Sequence, residues 1–140
     1  MKTALMLSTL ILITLAGAAF AVDKSICGPN AEISYHANGQ LKSCSNLERK
    51  FVQDGLTCNE SSNISFFVNG QVSDCTVAGS YTAGNITCGE SASISFYSSG
   101  ALKSCTLKNP TVINGKNCMG SQPVNLFEEG SLSSCSEQGF

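Results

Sequence analysis

Eight cysteines and one histidine carry most of the reactive chemistry open to this 140-residue chain. The cysteines are Cys27, Cys44, Cys58, Cys75, Cys88, Cys105, Cys118 and Cys135, which is one spacing, C-x16-C, written four times. First cysteines of successive copies lie 31, 30 and 30 residues apart. Thiols can ligate metal, exchange electrons or form structural bridges. A zinc site needs closely spaced thiolates or imidazoles, and here no C-x2-C pair occurs and His36 is the only histidine. A redox centre would show C-x-x-C, which is missing. An even cysteine count behind an export-type leader reads instead as a disulfide framework.

His36 is the one candidate general base. It falls nine residues after a first cysteine, a position held by Phe67, Tyr97 and Phe127 in the other copies. A ring packing where other rings pack is the simpler reading, since a base also needs a positioned partner. The adjacent carboxylates Glu128 and Glu129 would point to opposite faces of a strand and suit a solvated turn better than a catalytic pair. Neither a phosphate-binding G-x-x-x-x-G-K-[ST] nor a nucleophile-elbow G-x-S-x-G is present. No catalytic residue, no metal and no cofactor is therefore expected. The recurring slot His36, Phe67, Tyr97, Phe127 is the candidate binding row, because exposed aromatics one repeat apart make a binding surface in repeat proteins.

Residues 1–21 read as a secretory leader. Lys2 is followed by an apolar run, Ala4 to Ala16, and Ala19-Phe20-Ala21 supplies a small-residue cleavage site. The run is short for a membrane span, and no second apolar stretch is long enough to cross a bilayer. Cleavage would leave 22–140, seven basic against ten acidic residues, and a net charge near −3. The charges are scattered with no basic stripe, which disfavours nucleic acid and anionic membrane. The expected location is secreted or periplasmic. The sequons at Asn59, Asn63 and Asn85 would matter only in a eukaryotic secretory pathway.

The elements that must position these residues follow from the repeat. Six residues after the first cysteine come Ile33, Ile64, Ile94 and Val124; eight after come Tyr35, Phe66, Phe96 and Leu126. Then come Asn38-Gly39, Asn69-Gly70, Ser99-Gly100 and Glu129-Gly130, and after them Leu41, Val72, Leu102 and Leu132. Apolar alternation broken by a Gly-containing dipeptide is a β-hairpin pattern. A second turn series, Asp54-Gly55, Gly84-Asn85 and Asn114-Gly115, lies between copies. Both series are read as two-residue type I′ turns. In the second copy this register opposes Phe67 to Val72, Phe66 to Ser73 and Ile64 to Cys75. It puts Ile64, Phe66, Val68 and Cys75 on the core face, with Phe67 and Val72 on the other. Leu47, Val77 and Leu107 are equivalent, the 31-residue period arising from one extra residue after Cys44. Helix is disfavoured throughout. The expectation is an all-β domain over 22–140 with four units, 27–57, 58–87, 88–117 and 118–140. Tandem hairpins would form an antiparallel meander or a single twisted sheet, stapled by disulfides.

Two simple pairings fit the repeat. Within-unit bridges, Cys27–Cys44, Cys58–Cys75, Cys88–Cys105 and Cys118–Cys135, use every cysteine. Between-unit bridges, Cys44–Cys58, Cys75–Cys88 and Cys105–Cys118, leave Cys27 and Cys135 over. Full use favours the first pattern.

The stretches Ile33-Ser-Tyr-His-Ala-Asn-Gly-Gln-Leu-Lys-Ser43 and Ile94-Ser-Phe-Tyr-Ser-Ser-Gly-Ala-Leu-Lys-Ser104 resemble the variant MORN repeat, with its aromatic pair, tight turn and following Leu-Lys-Ser strand. The resemblance extends over 27–135, although this unit is longer and carries paired cysteines. It implies consecutive hairpins in one extended sheet and a scaffold for protein or lipid contact. Exported bacterial proteins with similar cysteine-containing units look closest. The functional expectation is an exported, non-enzymatic repeat protein with a structural or protein-binding role, its partner a protein or cell-surface component. The alternative is a small disulfide-rich inhibitor or toxin-neutralising protein acting on an extracellular enzyme. Such an inhibitor should carry one unusual non-repeating loop, whereas these loops are near copies of one another.

Overall fold

A computed structural model describes residues 21–139. The leader therefore lies outside the described residues except for Ala21. The chain is all-β, preceded by one 3-10 turn at Lys24–Ile26 whose N-terminus is capped by the Asp23 carboxylate accepting from the Ser25 N–H.

Four unit hairpins make up the main sheet: β1 (Ile33–Tyr35) with β2 (Leu41–Cys44), β5 (Ile64–Phe66) with β6 (Val72–Thr76), β9 (Ser93–Phe96) with β10 (Leu102–Thr106), and β13 (Pro123–Leu126) with β14 (Leu132–Cys135). They join edge to edge into one eight-stranded antiparallel sheet, in the order β1-β2-β5-β6-β9-β10-β13-β14. Between units the chain leaves the sheet to form three ribbons: β3 (Phe51–Gln53) with β4 (Leu56–Cys58), β7 (Tyr81–Ala83) with β8 (Ile86–Cys88), and β11 (Thr111–Ile113) with β12 (Lys116–Cys118). The second turn series thus makes hairpins of its own, set apart from the main sheet.

The ribbons cover one face of that sheet. Phe51 packs edge-on against Phe66 at 5.4 Å between centroids, and Tyr81 repeats the contact with Phe96 at 5.5 Å. Between the layers Cys44, Ile64, Cys75, Ile94, Cys105 and Val124 run strand to strand as one buried row. Leu47, Val77 and Leu107 are each 1% exposed and each bridges the first cysteine of its unit, at Cys27, Cys58 and Cys88. Their equivalence, and the extra residue after Cys44, is visible as a β2 that stops at Cys44 where β6 and β10 run one residue past their cysteine.

All four bridges lie within units: Cys27–Cys44, Cys58–Cys75, Cys88–Cys105 and Cys118–Cys135. Each ties the last residue of a ribbon, or its N-terminal counterpart Cys27, to the second strand of the next hairpin. The two layers are therefore covalently joined once per unit. Among the described residues no cysteine is free.

Two details of register depart from the expectation. The unit hairpins do not close by type I′ turns. In the second unit the Gly70 N–H donates to the Phe67 carbonyl, and the Phe67 N–H to the Gln71 carbonyl. Gly70 has φ +83° while Asn69 keeps an ordinary φ, which makes a type I turn followed by a glycine bulge. The pairing is then Ile64 with Cys75 as expected, but Phe66 with Val72, the ladder skipping Ser73. That one-residue slip carries Val72 to the core face, where it is 5% exposed, and leaves Val68 at the turn, 57% exposed. The ribbon turns at Asp54-Gly55 and Asn114-Gly115 do have positive φ at both residues, as type I′ requires; at Gly84-Asn85 only the glycine does, the type II′ pattern.

Candidate functional site

The other face of the main sheet is floored by small polar side chains. Ser34, Ser43, Ser65, Asp74, Ser95, Ser104, Asn125 and Ser134 pair one with the next across all eight strands. Strand alternation produces this ladder: in the six inner strands each member sits beside a buried neighbour and must point away from it. Hydroxyls bond in pairs within hairpins, Ser34 with Ser43 and Ser95 with Ser104, while Asn125 donates to Ser134 at 3.1 Å. An open trough of about 390 Å³ lies over the first three strands, between Glu32, Ser34, Ser43, Ser45, Asn63 and Ser65. A deeper cleft between the first two ribbons, lined by Gln53, Leu56, Tyr81 and Phe96, is only about 80 Å³, below the usual small-molecule pocket of roughly 300–1,000 Å³.

The aromatic slot borders the ladder at the turn end of the sheet. His36, Phe67 and Tyr97 are half-buried, and Phe127 is 50% exposed. Phe67 packs against the buried core, while the other two half-buried rings reach the neighbouring unit. His36 Nε2 donates to the Phe66 carbonyl at 2.9 Å, and Tyr97 Oη donates to the Leu126 carbonyl at 3.0 Å. Each polar ring thus leans across the sheet and ties its own unit to the next. Lys103 Nζ lies 5.6 Å from the Tyr97 ring centroid, close enough for a cation–π contact. The four slots recur every second strand, which sets them about 9–10 Å apart.

Reading along the sequence missed two contributors. Gln53, on the first ribbon, clamps the second unit's turn by donating to the Gly70 carbonyl and accepting the Val72 N–H. Asn114 holds the last unit by accepting the Leu132 N–H. Both contacts span 17–19 residues, and in sequence both residues look like ordinary polar loop positions. Of the acidic pair, Glu129 accepts from the Ser131 hydroxyl, which holds its carboxyl below the usual range. Among the described residues no group of three or more His, Cys, Asp and Glu could hold a metal ion, and no helix is long and apolar enough to cross a membrane. Four disulfides fit an oxidising compartment, extracellular or periplasmic. Comparison with protein-family models, with curated proteins and with solved structures finds no match to this chain.

Proposed function

We propose that this is an exported, non-enzymatic repeat protein that binds a protein or cell-surface component through the open face of its main sheet. The leader at 1–21 would be removed on export, and the variant MORN repeat remains the family it resembles. The observation that carries the reading is the regular row His36, Phe67, Tyr97, Phe127 along a polar ladder of hydroxyls and one amide whose single charge is Asp74. A surface that repeats every unit suits an extended partner rather than a point-like substrate. Engagement of His36 with a backbone carbonyl supports a structural role for that ring rather than a catalytic one.

Capture from culture fluid or periplasmic extract, run side by side with variants, tests this. Phe67→Ser with Tyr97→Ser should lose whatever the wild type retains, with all four bridges still formed. Val52→Ser with Val112→Ser, exposed apolar positions on the outer side of the ribbons, should lose nothing. Retention by the first pair and loss by the second would move the binding surface to the ribbon face.

A further inference from the structure

The two ends of the sheet are not alike. At the first end, Ile33 is 38% exposed, although its counterparts Ile64, Ile94 and Val124 are 0–1% exposed. Tyr35 is 50% exposed, although Phe66, Phe96 and Leu126 are at most 8%. In every later unit the equivalent strand is covered by the second strand of the unit before it, through pairs such as Cys44 with Ile64 and Cys75 with Ile94. Strand β1 has no such neighbour among the described residues. Nor does it carry the charge or proline that usually protects an edge.

The last end is protected. The slot filled by Leu47, Val77 and Leu107 is held there by Glu137, which bridges Cys118 and ion-pairs with Lys116 at 2.6 Å in solvent. Joining this end to β1 of another copy would bury that charge pair, which is costly. A head-to-tail filament is disfavoured, and an isologous contact between two copies of the unprotected edge is favoured.

We infer that the protein forms a closed two-fold dimer in which β1 pairs antiparallel with β1 of a second copy. The contact is antiparallel like the three junctions inside the chain, but joins two first strands where those join a second strand to a first. With Ser34 on the axis, Ile33 of each copy opposes Tyr35 of the other on the core face, an aromatic–β-branched pair of the kind that stabilises sheets. On the polar face Glu32 then opposes His36 of the other copy. The strand is only three residues long. A contact this short belongs with weak, transient interfaces, so the dimer is expected to dissociate on dilution.

Sedimentation equilibrium of the oxidised protein over a concentration series tests the inference. Wild type should pass from monomer to dimer and grow no further. Ile33→Lys should stay monomeric throughout, with four bridges intact and the circular dichroism of the wild type. Val112→Lys, an equally accessible apolar position on a ribbon, should dimerise like wild type. A wild type that stays monomeric to near-millimolar concentration, a dimer that survives Ile33→Lys, open-ended growth, or a different protein found on β1 would each overturn it.

Discussion

His36 and Tyr97 fill one structural position with different chemistry. Each ends in a donor that reaches a carbonyl of the next unit, 29 or 30 residues on. Phe67 fills the same slot without a donor. The contribution of that donor can therefore be isolated. Replacing His36 by Phe should keep the fold and lower stability by about 1 kcal/mol, the net worth of one hydrogen bond. Denaturant unfolding of the oxidised protein would measure it, and a loss above roughly 3 kcal/mol would mean the ring is doing more than tying two units together. Glycines allow an equally clean comparison. Gly100 has φ +89° and open space around its missing Cβ; Gly79 has the same open space without a positive φ. Gly100→Val should cost about 1–3 kcal/mol through backbone strain alone, while Gly79→Val should change stability little. Similar melting temperatures for the two would contradict the turn geometry.

At the scale of the hairpin, the sequence shows where the turns fall but not which side of the strand each neighbour faces. Ile64 and Cys75 are opposed as the alternation predicts. Val72 is not where that alternation puts it, because the asparagine–glycine pair is read as two turn residues when it belongs to a longer loop with a bulge. Asn-Gly serves both turn types, so composition cannot separate them, and the skipped Ser73 moves Val72 to the other face while Asp74 and Cys75 keep their expected partners. The layering was equally hidden. Both turn series predict hairpins, but only contacts such as Phe51 on Phe66 show that alternate hairpins stack on the others. The register can be tested chemically. Val72→Asp places a charge on the core face opposite Phe66 and should cost several kcal/mol, whereas Val68→Asp at the exposed turn should be nearly neutral. The type I′ register of the sequence reading would give the opposite order.

For the whole molecule the repeat and the cysteine pairing were legible, because equal spacing leaves few ways to satisfy eight cysteines at once. The aromatic row was legible as a recurrence only; the ties His36 and Tyr97 make to the next unit rest on contacts between residues 29 or 30 apart that sequence periodicity does not encode. The disulfides also dominate the energetics. Each closes a loop of 17 residues, worth about 3 kcal/mol by loss of chain entropy in the unfolded state. Four together approach the whole stability of an ordinary domain, about 5–15 kcal/mol. Full reduction should therefore unfold the chain at room temperature, a change visible by circular dichroism. Partial reduction should be ordered. The end bridges each contain one half-buried cysteine, Cys27 or Cys135, while both cysteines of the two middle bridges are buried. Limited reductant followed by alkylation and mass mapping should open Cys27–Cys44 and Cys118–Cys135 first.

The confinement of every bridge to its own unit bears on how the chain matures. A cysteine emerging from a translocation pore or a ribosome waits only 17 residues for its native partner. That partner is the next cysteine to appear, so oxidation in strict order of synthesis yields the native set without reshuffling. Such a chain has little need of a disulfide isomerase, and it can lose its last unit without stranding a thiol. Truncation after Gly115 should leave three intact bridges and no free sulfhydryl, which thiol titration would show directly.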